Sequence, residues 1–152
     1  MNILLATVIF SVSDPEIVTT CLTLEDNNTK GMLAIMHVIN NRAKNNPEKY
    51  KNVVLKRWQF SCMNPHTIKG QNLQLLVNKA KSRSNWNTAN KIVKMFYAKL
   101  IDQDKSFGTH YHVFTGKSKV TPYWTVPKHG GRNIKAIITK YVGTHVFLTN
   151  VD

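Results

Sequence analysis

The chain has 152 residues, with 21 Lys plus Arg against 8 Asp plus Glu and a net charge of +13. That length supports one domain with its own core and no metal or disulfide staple, and two cysteines make no disulfide framework. No apolar run approaches the roughly 18 residues of a membrane-spanning helix, and the charge calls for a polyanion: nucleic acid, an anionic membrane face or an anionic cell wall.

Residues 1–13 read MNILLATVIFSVS. An apolar run ends in the small-x-small pattern Ser11-Val12-Ser13, the form of a secretory signal or export segment. No Lys or Arg follows Met1, and the alternative is a strand or helix packed on the domain. The domain itself then spans 14–152. A helix starts at Asp14, read as the N-cap, with Pro15 at the first helical position and Glu16 at the positive end of the dipole. On a helical wheel Ile17, Val18, Cys21, Leu22 and Leu24 share a broad arc, and Thr19, Thr23 and Asp26 lie opposite as a wet side. Glu25 falls on the apolar arc. Either the helix ends before it, or it pairs with a buried arginine, or it is a carboxyl held in an apolar wall. A desolvated carboxyl keeps its proton more readily and can act as a general acid, the role that glycoside cleavage requires. Asp26 is expected to be an ordinary carboxylate.

Asn27 to Lys30 break this helix. A second is predicted from about Thr29 to Ala43, apolar nearly all round and so central and buried. Its polar members His37, Asn40, Asn41 and Arg42 need partners. Pro47 to Tyr50 suggests a short turn, and a loop surrounds Asn64-Pro65-His66. Leu73 to Ala80 suggests a third helix. Ala89 to Ile101 suggests a fourth, with Ile92, Val93, Phe96 and Leu100 on one face and Lys91, Lys94 and Lys99 in solvent. The last third turns to β-formers: Thr109 to Phe114, an irregular Val120 to Trp124 containing Pro122, then Ile134 to Thr139 and Tyr141 to Leu148. Helices first and strands later point to an α+β domain.

His110 and His112 would share a strand face, but no third metal ligand has a fixed place beside them, and no metal is expected. There is no phosphate-cradling glycine loop and no nucleophile elbow. Trp58, Phe60, Tyr111, Tyr123 and Trp124 can line a sugar groove, stack bases or simply fill core. Cys21 reads as a buried thiol, with a Cys21–Cys62 bridge as the alternative in an oxidising compartment.

In this order the motifs resemble the SleB-like cell wall hydrolases of spore-cortex-lytic enzymes and phage endolysins. The family's essential glutamate looks like Glu25, followed by Gly31, Met32-Leu33-Ala34 and Asn41-Arg42. Its Gln-Phe-Ser looks like Gln59-Phe60-Ser61, and its Thr-His-Tyr/Phe like Thr109-His110-Tyr111. Its Pro-x-Trp looks like Pro122-Tyr123-Trp124, and its closing Gly-x-His-x-Phe like Gly143-Thr144-His145-Val146-Phe147. The family's second glutamate has no counterpart in Asp26-Asn27-Asn28-Thr29.

The resemblance implies a lysozyme-like helical core with a small β or irregular C-terminal part. It implies a monomeric peptidoglycan glycosidase, hydrolytic or transglycosylating, of endolysin or autolysin type. Glu25 would be catalytic. Gln59, Phe60, Ser61, His110, Tyr111 and Trp124 would hold substrate, and Asn41, Arg42 and His145 would support them. No cofactor is implied. The partner would be bacterial peptidoglycan, with anionic envelope polymers, and no specific nucleic acid. The place of action would be periplasm or wall if the leader is a signal, otherwise host cytoplasm before lysis or the virion. A basic nucleic-acid-binding or virion structural protein on a degenerate hydrolase fold is the alternative.

Overall fold

The computed structural model describes residues 11–113 and 136–149. The helices are α1 (Asp14–Glu25), α2 (Thr29–Arg42), α3 (Tyr50–Leu55), α4 (Asn64–Thr67), α5 (Leu73–Lys81) and α6 (Trp86–Tyr97). The strands are β1 (His110–Val113), β2 (Ile137–Val142) and β3 (His145–Thr149), forming an antiparallel sheet in the order β1-β3-β2. The domain is α+β, with the sheet lying on the helical body.

The cap of α1 is Ser13, one residue earlier than the sequence suggests. Ser13 closes a capping box with Glu16: its backbone N–H and its hydroxyl both donate to Glu16 Oε2 at 3.0 Å. Asp14 and Pro15 thus occupy the first turn. Val12 already packs against the core, so the described chain joins the fold before Asp14.

The wet side expected for α1 does not exist. Thr19, Thr20 and Thr23 are fully buried. Each hydroxyl donates to the carbonyl four residues back: Thr19 to Pro15 at 2.7 Å, Thr20 to Glu16 at 2.8 Å, Thr23 to Thr19 at 2.7 Å. A threonine that satisfies itself this way buries its methyl like a small apolar residue. This lets α1 run through the middle of the molecule, in contact with α2, α3, α5 and α6.

The second helix is buried as expected. Met32, Ile35, Met36 and Ile39 join Leu22, Val93 and Phe96 in the main cluster. Its end is a Schellman cap: Asn45 N–H donates to Asn40 O at 2.9 Å and Lys44 N–H to Asn41 O at 3.1 Å, with Lys44 at φ 54°. His37 is stacked on Phe107 with centroids 4.7 Å apart, and burial lowers its pKa. Its Nδ1 has no hydrogen-bond partner, so the structural bond expected for His37 is replaced by ring packing.

Three further boundaries differ. The fourth long helix starts at Trp86 and stops at Tyr97, because Lys99 at φ 54° closes another Schellman cap; Leu100 is therefore 73% exposed and off the apolar face. Asn64-Pro65-His66 is a single helical turn. The last two strands are separated at Gly143-Thr144, with Gly143 at φ 55°, and not at Lys140. Cys21 and Cys62 are free thiols with sulfurs 3.8 Å apart, well beyond the ~2 Å of a disulfide. The leader up to residue 10, the Val120–Trp124 segment and Ile134-Lys135 at the start of the next expected strand lie outside the described residues.

Candidate active site

Glu25 is the last residue of α1, where the helix runs out beside the sheet. Two donors from distant parts of the chain meet its carboxylate. Tyr111 hydroxyl donates to Oε2 at 2.6 Å, and the backbone N–H of Cys62 donates to Oε1 at 3.3 Å. The helix includes Glu25, and its carboxyl is held by a phenol and a backbone N–H, a setting that matches neither the arginine pair nor the bare apolar wall read from the sequence. Tyr111 is wedged between Phe60, Phe147 and His145, with ring centroids 6.2, 5.7 and 5.3 Å away. Burial, and then the neighbouring Glu25, push its phenol well above the usual value, so it stays protonated.

Arg42 ties the two donors together. Its Nε donates to Thr109 O, just ahead of β1, and its Nη1 donates to Gln59 Oε1 at 2.8 Å, just ahead of Cys62. The guanidinium lies 5.3 Å from the centre of the Phe60 ring. Burial lowers its pKa to about 10, which leaves it charged at neutral pH. Asn41 does the same one step further back: its Nδ2 donates to Asp104 O at 3.0 Å and Gly108 O at 2.8 Å. Asn41 and Arg42, read as supports, stand behind the Glu25 donors.

Asp26 is next in the chain and differs in every contact. Its Oδ1 accepts from Asn28 N–H at 2.6 Å, and its Oδ2 lies 3.3 Å from Nδ1 of His145 on β3. His145 is 4% exposed and the pair is too oblique for a hydrogen bond. The side chain of Asp26 is only 15% exposed, not on a wet face. It presses on α2 so closely that a Cβ at Gly31 would stand 1.9 Å from Oδ2. A side chain at position 31 would have to push the Asp26 carboxylate away.

A cleft of about 440 Å³ opens on this corner. Residues 24–28 form one wall, with Arg83 and the Thr144-His145 turn around it. Of the expected ligand-holding residues, Tyr111 touches Glu25 directly. Gln59 is engaged by Arg42, and Phe60 is core, 2% exposed with no open ring face. Ser61 is exposed at the start of the turn that carries Cys62. His110 sits next to Tyr111 and bonds Thr109 Oγ1 through Nδ1 at 3.0 Å; burial lowers its pKa to about 4. Trp124 lies outside the described residues. Among the described residues no cluster of His, Cys, Asp or Glu could hold a metal ion.

The family model described as Cell Wall Hydrolase matches residues 26–148. The chain belongs to the SleB-like cell wall hydrolases. No curated protein and no solved structure matches it. The match to this hydrolase family carries Gly31, Asn41-Arg42, Gln59-Phe60-Ser61, Thr109-His110-Tyr111 and His145. It begins one residue after Glu25, so Glu25 is a candidate on the strength of the two donors and the cleft.

Sequence reasoning missed three groups. Cys62 acts through its backbone, which no residue type announces. Asn85 precedes α6 and could be read as a helix start, but its Nδ2 instead reaches Thr23 O at 3.1 Å and Asp26 O at 2.8 Å. Arg83 is one more cation in a basic chain and gave no signal.

Proposed function

We propose that this cell wall hydrolase acts on bacterial peptidoglycan by cleaving the glycan strand between N-acetylmuramic acid and N-acetylglucosamine, as a lytic transglycosylase. The observation that carries this is Glu25: a carboxyl at the mouth of a 440 Å³ cleft, gripped by one hydroxyl and one backbone N–H. Protonated, it gives its proton to the glycosidic oxygen as the bond to the muramoyl anomeric carbon breaks. The carboxylate left behind is stabilised by Tyr111 and Cys62 N–H. A hydroxyl is both donor and acceptor, so Tyr111 stays bonded to either form.

The single-carboxylate route follows from Asp26. Retaining and inverting hydrolysis both employ a second carboxyl as nucleophile or base. Asp26 is tied down through Oδ1 by Asn28 N–H and turns Oδ2 to His145 Nδ1 at 3.3 Å, so it serves as neither nucleophile nor base in this reading. Glu25 then takes the proton of the muramoyl 6-hydroxyl, whose oxygen attacks the anomeric carbon and closes a 1,6-anhydro ring. The net charge of +13 keeps the protein on an anionic envelope, in keeping with a phage-type endolysin or an autolysin.

The test is clearing of a purified wall suspension, with mass spectrometry of the products. Clearing with 1,6-anhydro-muramoyl ends supports the reading. Reducing muramoyl ends mean hydrolysis, and intact walls with a shifted oligonucleotide band mean a nucleic-acid-binding protein instead.

A further inference from the structure

Arg83 stands in the short connection between α5 and α6. Its backbone is tied at both ends of a turn: its N–H donates to Ala80 O at 3.0 Å, and its carbonyl accepts from Trp86 N–H at 3.2 Å. Two residues later Asn85 clamps the connection to the carbonyls of Thr23 and Asp26, on either side of Glu25. The turn that bears Arg83 is thus fastened to the same helix end that bears the proton donor.

Exposed arginines usually face solvent and do nothing more. Arg83 differs in that it lines the cleft and is the only Lys or Arg among its described lining residues. Its guanidinium forms no ion pair among the described residues. The two carboxylates beside it do not neutralise it: Asp26 faces His145, and Glu25 faces Tyr111 and Cys62. A cleft lined by two acids repels an anionic ligand, whereas an unpaired guanidinium in that cleft attracts a carboxylate and can bond it in two places. A neutral polysaccharide can accept a hydrogen bond from such a group but lacks the charge to pair with it.

We propose that Arg83 recognises a carboxylate carried on the muramoyl residue of the substrate, on its lactyl acid or its peptide stem. Arg83 thereby sets a preference for wall glycan over uncharged N-acetylglucosamine polymers. This deepens the peptidoglycan reading above and rests on it. Arg83 acts as a specificity residue at the cleft rim and takes no part in proton transfer.

The experiment is isothermal titration of the Glu25→Gln protein, which cannot cleave what it binds. Three probes are compared: a GlcNAc–MurNAc tetrasaccharide with free lactyl carboxylates, the same compound as its methyl amide, and the same compound bearing peptide stems. The free acid or the stem form should bind at least about tenfold more tightly than the amide, the factor expected of one charge-assisted bond. Whichever form carries the gain locates the carboxylate. Adding Arg83→Gln should erase the gain and leave the amide's affinity unchanged. Lys91→Gln, an exposed change on α6, should keep it. A gain that survives Arg83→Gln, one lost equally in Lys91→Gln, or no gain at all would overturn the role of Arg83. Walls cleared by the wild-type protein alongside such a result would leave the peptidoglycan reading standing. Walls left intact, with no probe bound, would remove both.

Discussion

Glu25 and Asp26 are adjacent carboxylates with opposite surroundings. Glu25 looks toward the 59–62 segment and β1, where it meets a phenol and one backbone N–H and borders open space. Asp26 looks toward β3 and the first turn of α2, where it caps Asn28, faces a buried histidine and lies against Gly31. In the proposed mechanism one side of the helix end serves a proton that comes and goes. The other is a joint that fastens α1, α2 and the sheet. Residue type alone does not separate a reactive carboxyl from a structural one; what fills its acceptor positions does.

The largest way to break this contrast is Glu25→Gln. It keeps size and removes the proton, so wall clearing should fall by about 10² to 10⁴-fold, the usual worth of general acid catalysis. Circular dichroism should show an unchanged fold. On the structural side, Gly31→Ala forces a methyl into the Asp26 carboxylate. Urea unfolding should show a loss of about 1–3 kcal/mol, as for other overpacked sites, and the rate per folded molecule should change far less. An unaffected midpoint would mean that Asp26 is not held where the structure has it.

Tyr111→Phe sharpens the comparison from the Glu25 side. It removes one hydroxyl and leaves the ring packing. The rate should fall by roughly tenfold, about the worth of one hydrogen bond to a charged group. Stability should change little; a large drop in the unfolding midpoint would make the hydroxyl structural instead.

Two histidines in the fold are kept neutral by burial, His110 near Arg42 and His37 against Phe107. Their folded pKa values lie below the unfolded ~6.5. The unfolded chain therefore binds more protons once the pH drops below about 6.5. Their contribution is complete above that value and is lost as pH falls toward about 4, the value for His110. The urea midpoint should decline over that window, and His110→Gln should flatten part of the decline. The smallest effect is at the far end of α1: Ser13→Ala breaks the capping box and should cost about 1 kcal/mol, with no change in rate.

Much of this was legible in the chain. The span of α2 followed from its apolar residues, and the need of Asn41 and Arg42 for partners from polar groups on a helix with no wet face; that they support the site was implied by the family resemblance alone. Glu25 stood out as a carboxyl on an apolar arc. What escaped was whatever depends on local bonding or on the backbone. Thr19, Thr20 and Thr23 look polar on a wheel, yet each hydroxyl is satisfied within its own helix, so α1 is buried all round from Ile17 to Thr23. Asp26 looked solvated because its partners lie two residues ahead and at the far end of the chain. Phe60, read as a sugar platform, packs inside because Arg42 and Tyr111 cover it. The N–H of Cys62 and the clamp by Asn85 are set by tertiary placement, and periodicity carries no trace of either.

The central claim is that the two carboxylates divide chemistry from scaffold. The most direct measurement is the wall-clearing rate per folded molecule and the urea unfolding free energy of Glu25→Gln and Asp26→Ala, side by side. The account predicts that Glu25→Gln loses nearly all rate and keeps its stability. It predicts that Asp26→Ala loses about 1 kcal/mol, the worth of its bond to Asn28 N–H, and keeps its rate within about tenfold. An active Glu25→Gln protein, or an Asp26→Ala protein that is fully stable and inactive, would contradict it.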